Sequence, residues 1–453
     1  MRQAWPWMIV AVVLAPSSSG AGPADAPLPP DVECREFPLR QPLPEEGGGL
    51  FAHDVNGDGR LDLVVTSRGH IAAYAQSGRL LWMRQMEILL WPYLHHPSAI
   101  AGHLDGARSE EVACLTGPRE IAVLDARTGE LKRTLATPRD TVAMAVANLR
   151  GAGDGDILLQ FSQTHIAAIR GDTGALLWET QEYRGIEHSP LRQADLDGDG
   201  RDEVAGATII DHRGRKMHGW DLGDVYRSMD SLVIADIVPG LPLEVVLAEQ
   251  RGAQSHTDVV NPDRIVFRSL NPWNWEDPDK VAAGDFDPAR PGLEIFNRSS
   301  GGDGTARRGR DEPYANEEAP WVIDATGEVL AKYYVNDTKP NWWTGHGIEE
   351  VCRIDWDGDA ADELVAKERH RNGAGAIVAP LTGEFRCILP GQALRIYAAD
   401  LAGDSREEVV MLDESGSVRI FRNTAPNAGR ARPSPWNAQH YRRQKQNWNY
   451  YSP

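Results

Sequence analysis

The chain is short of cysteine, of basic residues and of long apolar runs, and each shortage closes off a class of function. Its four cysteines, Cys34, Cys114, Cys352 and Cys387, are too few and too far apart for a disulfide-stapled miniprotein, and no CxxC spacing offers a zinc site. Cys352 and Cys387 fall within one repeat described below, which leaves a bridge between them and two buried thiols as alternatives. Lysine and arginine number 47 against 66 acids, a formal charge of −19. That balance excludes nucleic acid as a partner, because phosphate binding needs a basic surface. No GxSxG elbow supports a serine hydrolase. The one sustained apolar run, Met8–Ala15, is too short to span a bilayer, so no membrane span is expected. With Arg2 before it and Ser17–Ala21 after it, the run reads as the core of an export signal over residues 1–21. The chain is therefore expected to be secreted, to a periplasmic or extracellular space, after cleavage.

Glycine and proline are abundant, at 44 and 30 residues, and imply many short elements divided by turns. One pattern recurs: acids alternate with glycines, a closing acid follows, and a β-branched run begins. The fullest copies hold Asp54, Asn56, Asp58 and Asp62; Asp195, Asp197, Asp199 and Glu203; and Asp355, Asp357, Asp359 and Glu363. Further copies run Asp285–Glu294 and Asp400–Glu408, and worn ones His103–Glu111, Asn148–Asp156 and Asp236–Glu244. From 54 to 400 the eight units recur about every 49 residues, the period of propeller blades rather than of helical repeats. A Gly hairpin follows each loop at a fairly regular distance, as in Ala75–Trp82, Asp125–Leu131 and Arg170–Trp178. The pattern predicts an all-β fold: an eight-bladed β-propeller of four-stranded antiparallel blades with DxDGDGxxE loops. Residues 22–45 read as a linker and N-terminal segment. Residues 46–453 read as the propeller, closed by the aromatic C-terminal tail, and the chain is expected to be a monomer.

Oxygen donors at alternate positions, glycines for the curl and a closing carboxylate suit calcium. An EF-hand begins alike but needs flanking helices and a Glu at position twelve, whereas here the closing acid stands at position nine and leads into a strand. The first, fourth and seventh units hold the fullest ligand sets, and the second and fifth lack ligands. The expected role of Ca2+ is structural.

In an up-and-down blade the acidic loops and the Gly hairpins share one face of the disc. The long irregular segments gather on the other, where propellers often bind ligands. Those segments bring His188, Tyr226, Arg227, Trp275, Trp342 and Trp343 as candidates for substrate binding. Aromatic faces stack on sugars and basic groups pair with carboxylates, so an acidic polysaccharide is the expected partner. The interval from Asp285 to Asp355 is longer than the others, with roughly 20 extra residues mainly within 297–319, a length typical of functional or disordered loops.

These units resemble the propeller of rhamnogalacturonan lyases of polysaccharide lyase family 11, with FG-GAP/VCBS-type calcium loops. The stretch Asp285–Phe296, with Pro291-Gly-Leu-Glu294, carries the likeness most specifically. The resemblance implies β-elimination beside a uronate carboxylate, which needs charge neutralisation, a base for the C5 proton and an acid for the leaving oxygen. Lys367, Arg369, His370 and His346 are the expected catalytic set. The alternative is a non-catalytic propeller binding carbohydrate or protein at the cell surface. A quinoprotein reading rests only on Thr173–Trp178 and is weaker, because such Trp hairpins do not recur regularly.

Overall fold

The computed structural model describes residues 28–44, 48–90, 96–106, 109–186, 190–217, 219–220, 222, 229–249, 255–273, 278–299, 318–343, 347–368, 373–427 and 433–447. Strands dominate, in antiparallel sheets of consecutive strands. Five sheets have four strands each, within residues 49–85, 99–136, 143–180, 229–270 and 278–332. The fourth unit pairs Arg192–Ala194 with Glu203–Ala205, extended by bridges at Ile210 and Lys216. A seven-stranded sheet holds the seventh and eighth units, fused through the long strand Phe385–Ala399. The expected 49-residue repeat is thus one set of antiparallel strands per unit, with the last two units sharing a sheet.

Burial within a unit follows strand order. First and second strands are buried along their length and covered on both faces, as in Ala143–Ala147 and Asp62–Ser67. Fourth strands such as Leu131–Ala136 are largely exposed. First strands touch one another in sequence order from the second unit to the eighth, and the eighth touches the first.

Neighbouring units are joined at their edges by an aromatic ring seated on a glycine. Trp82 at the end of the first unit covers Gly129 in the hairpin of the second, where an added Cβ would come within 2.6 Å of the ring. Trp178 covers Gly214 in the same way, Phe267 covers Gly327 and Tyr333 covers Gly383. Three of these rings also donate to the hairpin beneath: Trp82 Nε1 to Ala126 O at 2.6 Å, Trp178 Nε1 to His212 O at 2.9 Å and Tyr333 Oη to Pro380 O at 3.0 Å. Each covered glycine has positive φ, so both the turn and the ring require it.

The last unit corrects the expectation about closure. The strand Val32–Pro38 pairs antiparallel with Ser417–Asn423 as the fourth strand of the eighth unit, and its Phe37 covers Gly78 of the first. The edge is supplied by the N-terminal segment expected to be a linker, not by the C-terminal tail. The tail instead forms the turn Pro435–Asn437 and the helix Gln439–Gln446, which lies against first strands of the first five units. Side-chain amides there stand in for a missing strand. Gln446 accepts from Ala101 N at 3.0 Å and donates to Ala101 O at 2.9 Å, while Gln444 makes both bonds to Ile234 at 2.7 Å. Arg443 pairs with Asp154 and Asp202, and Trp436 and Tyr441 both donate to Glu407.

The cysteines are free. Cys352, Val365, Ile377 and Cys387 form one row across four strands, which puts the two thiols three strand spacings apart, roughly 14 Å and beyond disulfide reach. Among the described residues no helix is long and apolar enough to cross a membrane.

Replacing Gln446 by Ala strands both backbone groups of Ala101 in the interior. A loss of about 1–3 kcal/mol is expected in chemical denaturation, as for a buried unmet polar group. An unchanged midpoint would show that the tail is not seated there.

Candidate functional site

Strand direction sorts the charged groups into two regions. Acidic loops join each first strand to the second. Their opening acids are occupied by the curl itself: Asp54 Oδ1 accepts from Gly57 N at 2.8 Å, and Asp195 accepts from Gly198 and Gly200 at 2.8 and 3.0 Å. Asp355 accepts from Gly358 N at 3.1 Å. Middle acids hold the next turn, as Asp58 does for Arg60 N, Asp197 for Asp199 N and Asp357 for Asp359 N. Closing acids are buried at the head of the second strand, where one oxygen takes a backbone N–H from early in the loop. Glu203 Oε2 takes Leu196 N at 2.8 Å, Glu408 takes Leu401 N at 2.8 Å and Glu294 takes Phe286 N at 2.8 Å. In the first loop Asn56 Nδ2 donates to Asp62 at 2.9 Å.

Two expected ligand sets converge. Ligand atoms of Asp195, Asp197 and Asp199 lie within 4.8 Å of one another, as do those of Asp357, Asp359 and Glu363. His212, which the sequence reading missed, joins Asp199 and Glu203 from the following hairpin. Glu203 Oε1 is buried, and among the described residues nothing donates to it. These oxygen-rich sets, with an orphaned buried carboxylate oxygen, fit a hard cation such as calcium.

The second region lies at the other ends of the strands in the sixth and seventh units. Lys280 and Arg298, paired in register across two strands, are 1% and 0% exposed. Arg298 Nε donates to Ile348 O at 2.7 Å and stands 3.6 Å from Glu318, whose Oε2 accepts from Ile348 N at 2.9 Å. Ile348 pairs in register with Glu368, and Lys367 Nζ lies 3.9 Å from Glu350. Three buried cations, Lys280, Arg298 and Lys367, and three buried carboxylates, Glu318, Glu350 and Glu368, thus share this region, with Arg298 beside Glu318 and Lys367 beside Glu350. Buried charge of this kind is costly and makes the region a candidate site. Glycine is required around them: a Cβ on Gly347 would sit 2.0 Å from Glu318 and one on Gly373 1.9 Å from Glu368. Glu350 itself has a left-handed φ of 46°, uncommon for a residue with a side chain.

Of the expected catalytic set, only Lys367 lies among the described residues, and it is 2% exposed rather than open to solvent. The second strand Glu363–Glu368 is covered on both faces, so a side chain before its end has no route out. Arg369, His370 and His346 lie outside the described residues, as do His188, Tyr226, Arg227 and Trp275. Trp343 is buried against Phe385 and donates to Gly347 O at 2.9 Å, a packing role that corrects its assignment to substrate. Trp342 is 38% exposed, with its ring centroid 5.7 Å from that of Trp343. Lys280, Arg298, Glu318 and Glu350 were missed. The signal for Arg298 was there: a cation in a strand that otherwise reads as interior, Ile295-Phe296-Asn297.

Residues 175–453 match rhamnogalacturonan lyase family 11, C-terminal domain. The chain belongs to that family. Its curated relatives include the rhamnogalacturonan exolyase YesX of Bacillus subtilis (strain 168), 22% identical over 460 residues that cover 82% of this chain and 70% of YesX. The endolyase YesW of the same organism is 24% identical over 463 residues, covering 83% of this chain and 67% of YesW. The crystal structure of exotype YesX superposes with a TM-score of 0.68 at 20% identity, over 93% of this chain and 81% of that one. A family 11 lyase from Bacillus licheniformis gives 0.65 at 19%, over 93% and 81%. These likenesses extend the family's fold across the units before residue 175.

Burial pushes the closing carboxyls up, Asp62 and Glu408 to about 7, Glu203 and Glu363 to about 8, and adjoining loop acids add to this at Asp62, Glu203 and Glu363. A folded value above the unfolded one means that protonation favours the fold. In metal-free protein this contribution is complete below about pH 4 and is lost as pH rises through about 7 to 8. Melting temperature in chelator should therefore fall between pH 5 and 8, and calcium should restore it most at pH 8. A flat profile in chelator would contradict this electrostatic picture.

Proposed function

We propose that this chain is a secreted rhamnogalacturonan lyase, built as an eight-bladed β-propeller and cleaving a uronate-containing backbone by β-elimination. Family membership carries the reading, and the buried ionic cluster in the sixth and seventh units supports assigning the chemistry to that region. Stretches 300–317, 344–346 and 369–372 leave directly from strands that hold Arg298, Glu350 and Lys367. A uronate reaching that region would meet cations held in a low dielectric, the condition that strengthens charge stabilisation of a developing enolate.

The propeller reading rests on eight successive antiparallel units, on contacts between their first strands and on the repeated ring-on-glycine joint. Phe37 over Gly78 makes the same joint between the last unit and the first. Calcium, when bound, supplies positive charge to the acidic loops. Asp54, Asn56, Asp58 and Asp62 would hold it in the first loop, and Asp195, Asp197, Asp199 and Glu203 in the fourth.

Within the site, Arg369 is assigned to the uronate carboxylate, and His370 and His346 to proton transfer. His188 and Arg227 support them, with Trp342, Trp275 and Tyr226 as stacking surfaces. Lys367 becomes a positioning residue that fixes Glu350 from below.

Wild-type protein given rhamnogalacturonan should raise the near-ultraviolet absorbance of an unsaturated uronate. His370→Ala should lower kcat by about 10²–10⁴-fold, the usual worth of a general acid or base, with Tm unchanged. Polysaccharide binding without any absorbance rise would overturn the lyase reading and leave a carbohydrate-binding propeller.

A further inference from the structure

The eight closing carboxylates do not share one source of positive charge. In the second unit Arg133 clasps Glu111 with two bonds of 2.6 and 2.7 Å. In the third Arg150 Nε meets Asp156 at 2.7 Å. In the seventh Arg386 reaches Glu363 Oε1 and stands 3.8 Å from Asp357, so its guanidinium lies between two loop acids. In the eighth Arg422 lies 3.4 Å from Glu408 and 2.8 Å from Asp404. Oε1 of Glu203, Glu244 and Glu294, in the fourth, fifth and sixth units, is buried with no donor among the described residues. Of these three, the fourth loop is the one that brings further acids together, Asp195, Asp197 and Asp199. Its Glu203 is fully buried, one oxygen is satisfied by Leu196 N, and among the described residues nothing donates to the other. Arg201, the nearby cation, is turned to Asp199 at 3.6 Å and His212 at 3.3 Å.

We propose that these five loops fall into two classes: a guanidinium occupies the cation's place in the second, third, seventh and eighth units, whereas the fourth keeps a divalent cation on Glu203, Asp195, Asp197 and Asp199. This rests on the reading of the acidic loops as calcium sites and changes its count, since the seventh loop has a full set of acidic ligands and still uses Arg386. The geometric reason is exclusion. In the third, seventh and eighth units the guanidinium lies at the carboxylate oxygen that the loop's backbone N–H leaves free, and in the second it takes both oxygens. A calcium ion would need that free oxygen. The second and third loops, with few acids, lose nothing by the exchange. The seventh and eighth retain their acids and are therefore latent sites.

The latent sites make the proposal testable by gain of binding. Wild-type, Glu203→Gln, Arg386→Gln and Arg422→Gln proteins are equilibrated with calcium chloride, desalted and assayed for calcium per chain by plasma mass spectrometry, with melting curves in calcium and in chelator. Arg386 and Arg422 are 40% and 44% exposed, so glutamine is expected to be tolerated there. Glu203→Gln should lose about one ion per chain. Arg386→Gln and Arg422→Gln should each gain about one and become more dependent on calcium for their Tm than wild type. A wild type that holds calcium, with folded arginine variants that gain none, would overturn the two classes while sparing the calcium reading. A wild type that holds none would overturn both.

Discussion

A carboxylate is buried at the head of the second strand in every unit, and the rest of the molecule is arranged around making that tolerable. An ionised carboxyl taken out of water costs several kcal/mol unless hydrogen bonds and positive charge meet it. In the third to eighth units the hydrogen bond is the same, a backbone N–H from early in the loop to one oxygen. It ties the loop's curl to the strand and fixes the start of pairing. The positive charge varies, from a bidentate Arg133 to an orphaned oxygen on Glu203. The acidity of the chain thus belongs mostly to its turns and says little about its ligand.

Two further devices turn separate sheets into one body. Rings from one unit sit on hairpin glycines of the next, and the N-terminal strand repeats that joint between last and first. The C-terminal helix then gathers the inner strands, with Gln444 and Gln446 pairing to single peptide groups of strands far apart in sequence. These joints stand away from the buried cluster of Lys280, Arg298, Glu318, Glu350, Lys367 and Glu368. The joints between units and the buried ionic cluster therefore lie at opposite strand ends.

Much of this was legible in the sequence because it is local. A loop that opens with an acid, curls on glycines and closes with an acid nine residues on is complete within itself, so the repeat, the strand order and the all-β class could be read directly. What escaped depends on contacts across long separations. Nothing local says that Val32–Pro38 pairs with Ser417–Asn423, and the aromatic tail was a reasonable but mistaken choice for that edge. Trp178 looked like a motif residue of another class, and it and Trp82 are joints between units. Lys367 and Trp343 have the chemistry of a site, yet one is enclosed by its own strand's position and the other by Phe385. Which loops use arginine is likewise tertiary, since Arg386 and Glu363 meet only once the sheet has formed.

The account turns on what stands beside each buried carboxylate, and an anomalous-scattering map of calcium-grown crystals reads that directly. The account predicts a peak within about 2.3–2.6 Å of Glu203 and its neighbouring loop acids. It predicts guanidinium density and no peak beside Glu363 and Glu408. Peaks at the seventh and eighth loops, or none at the fourth, would contradict it.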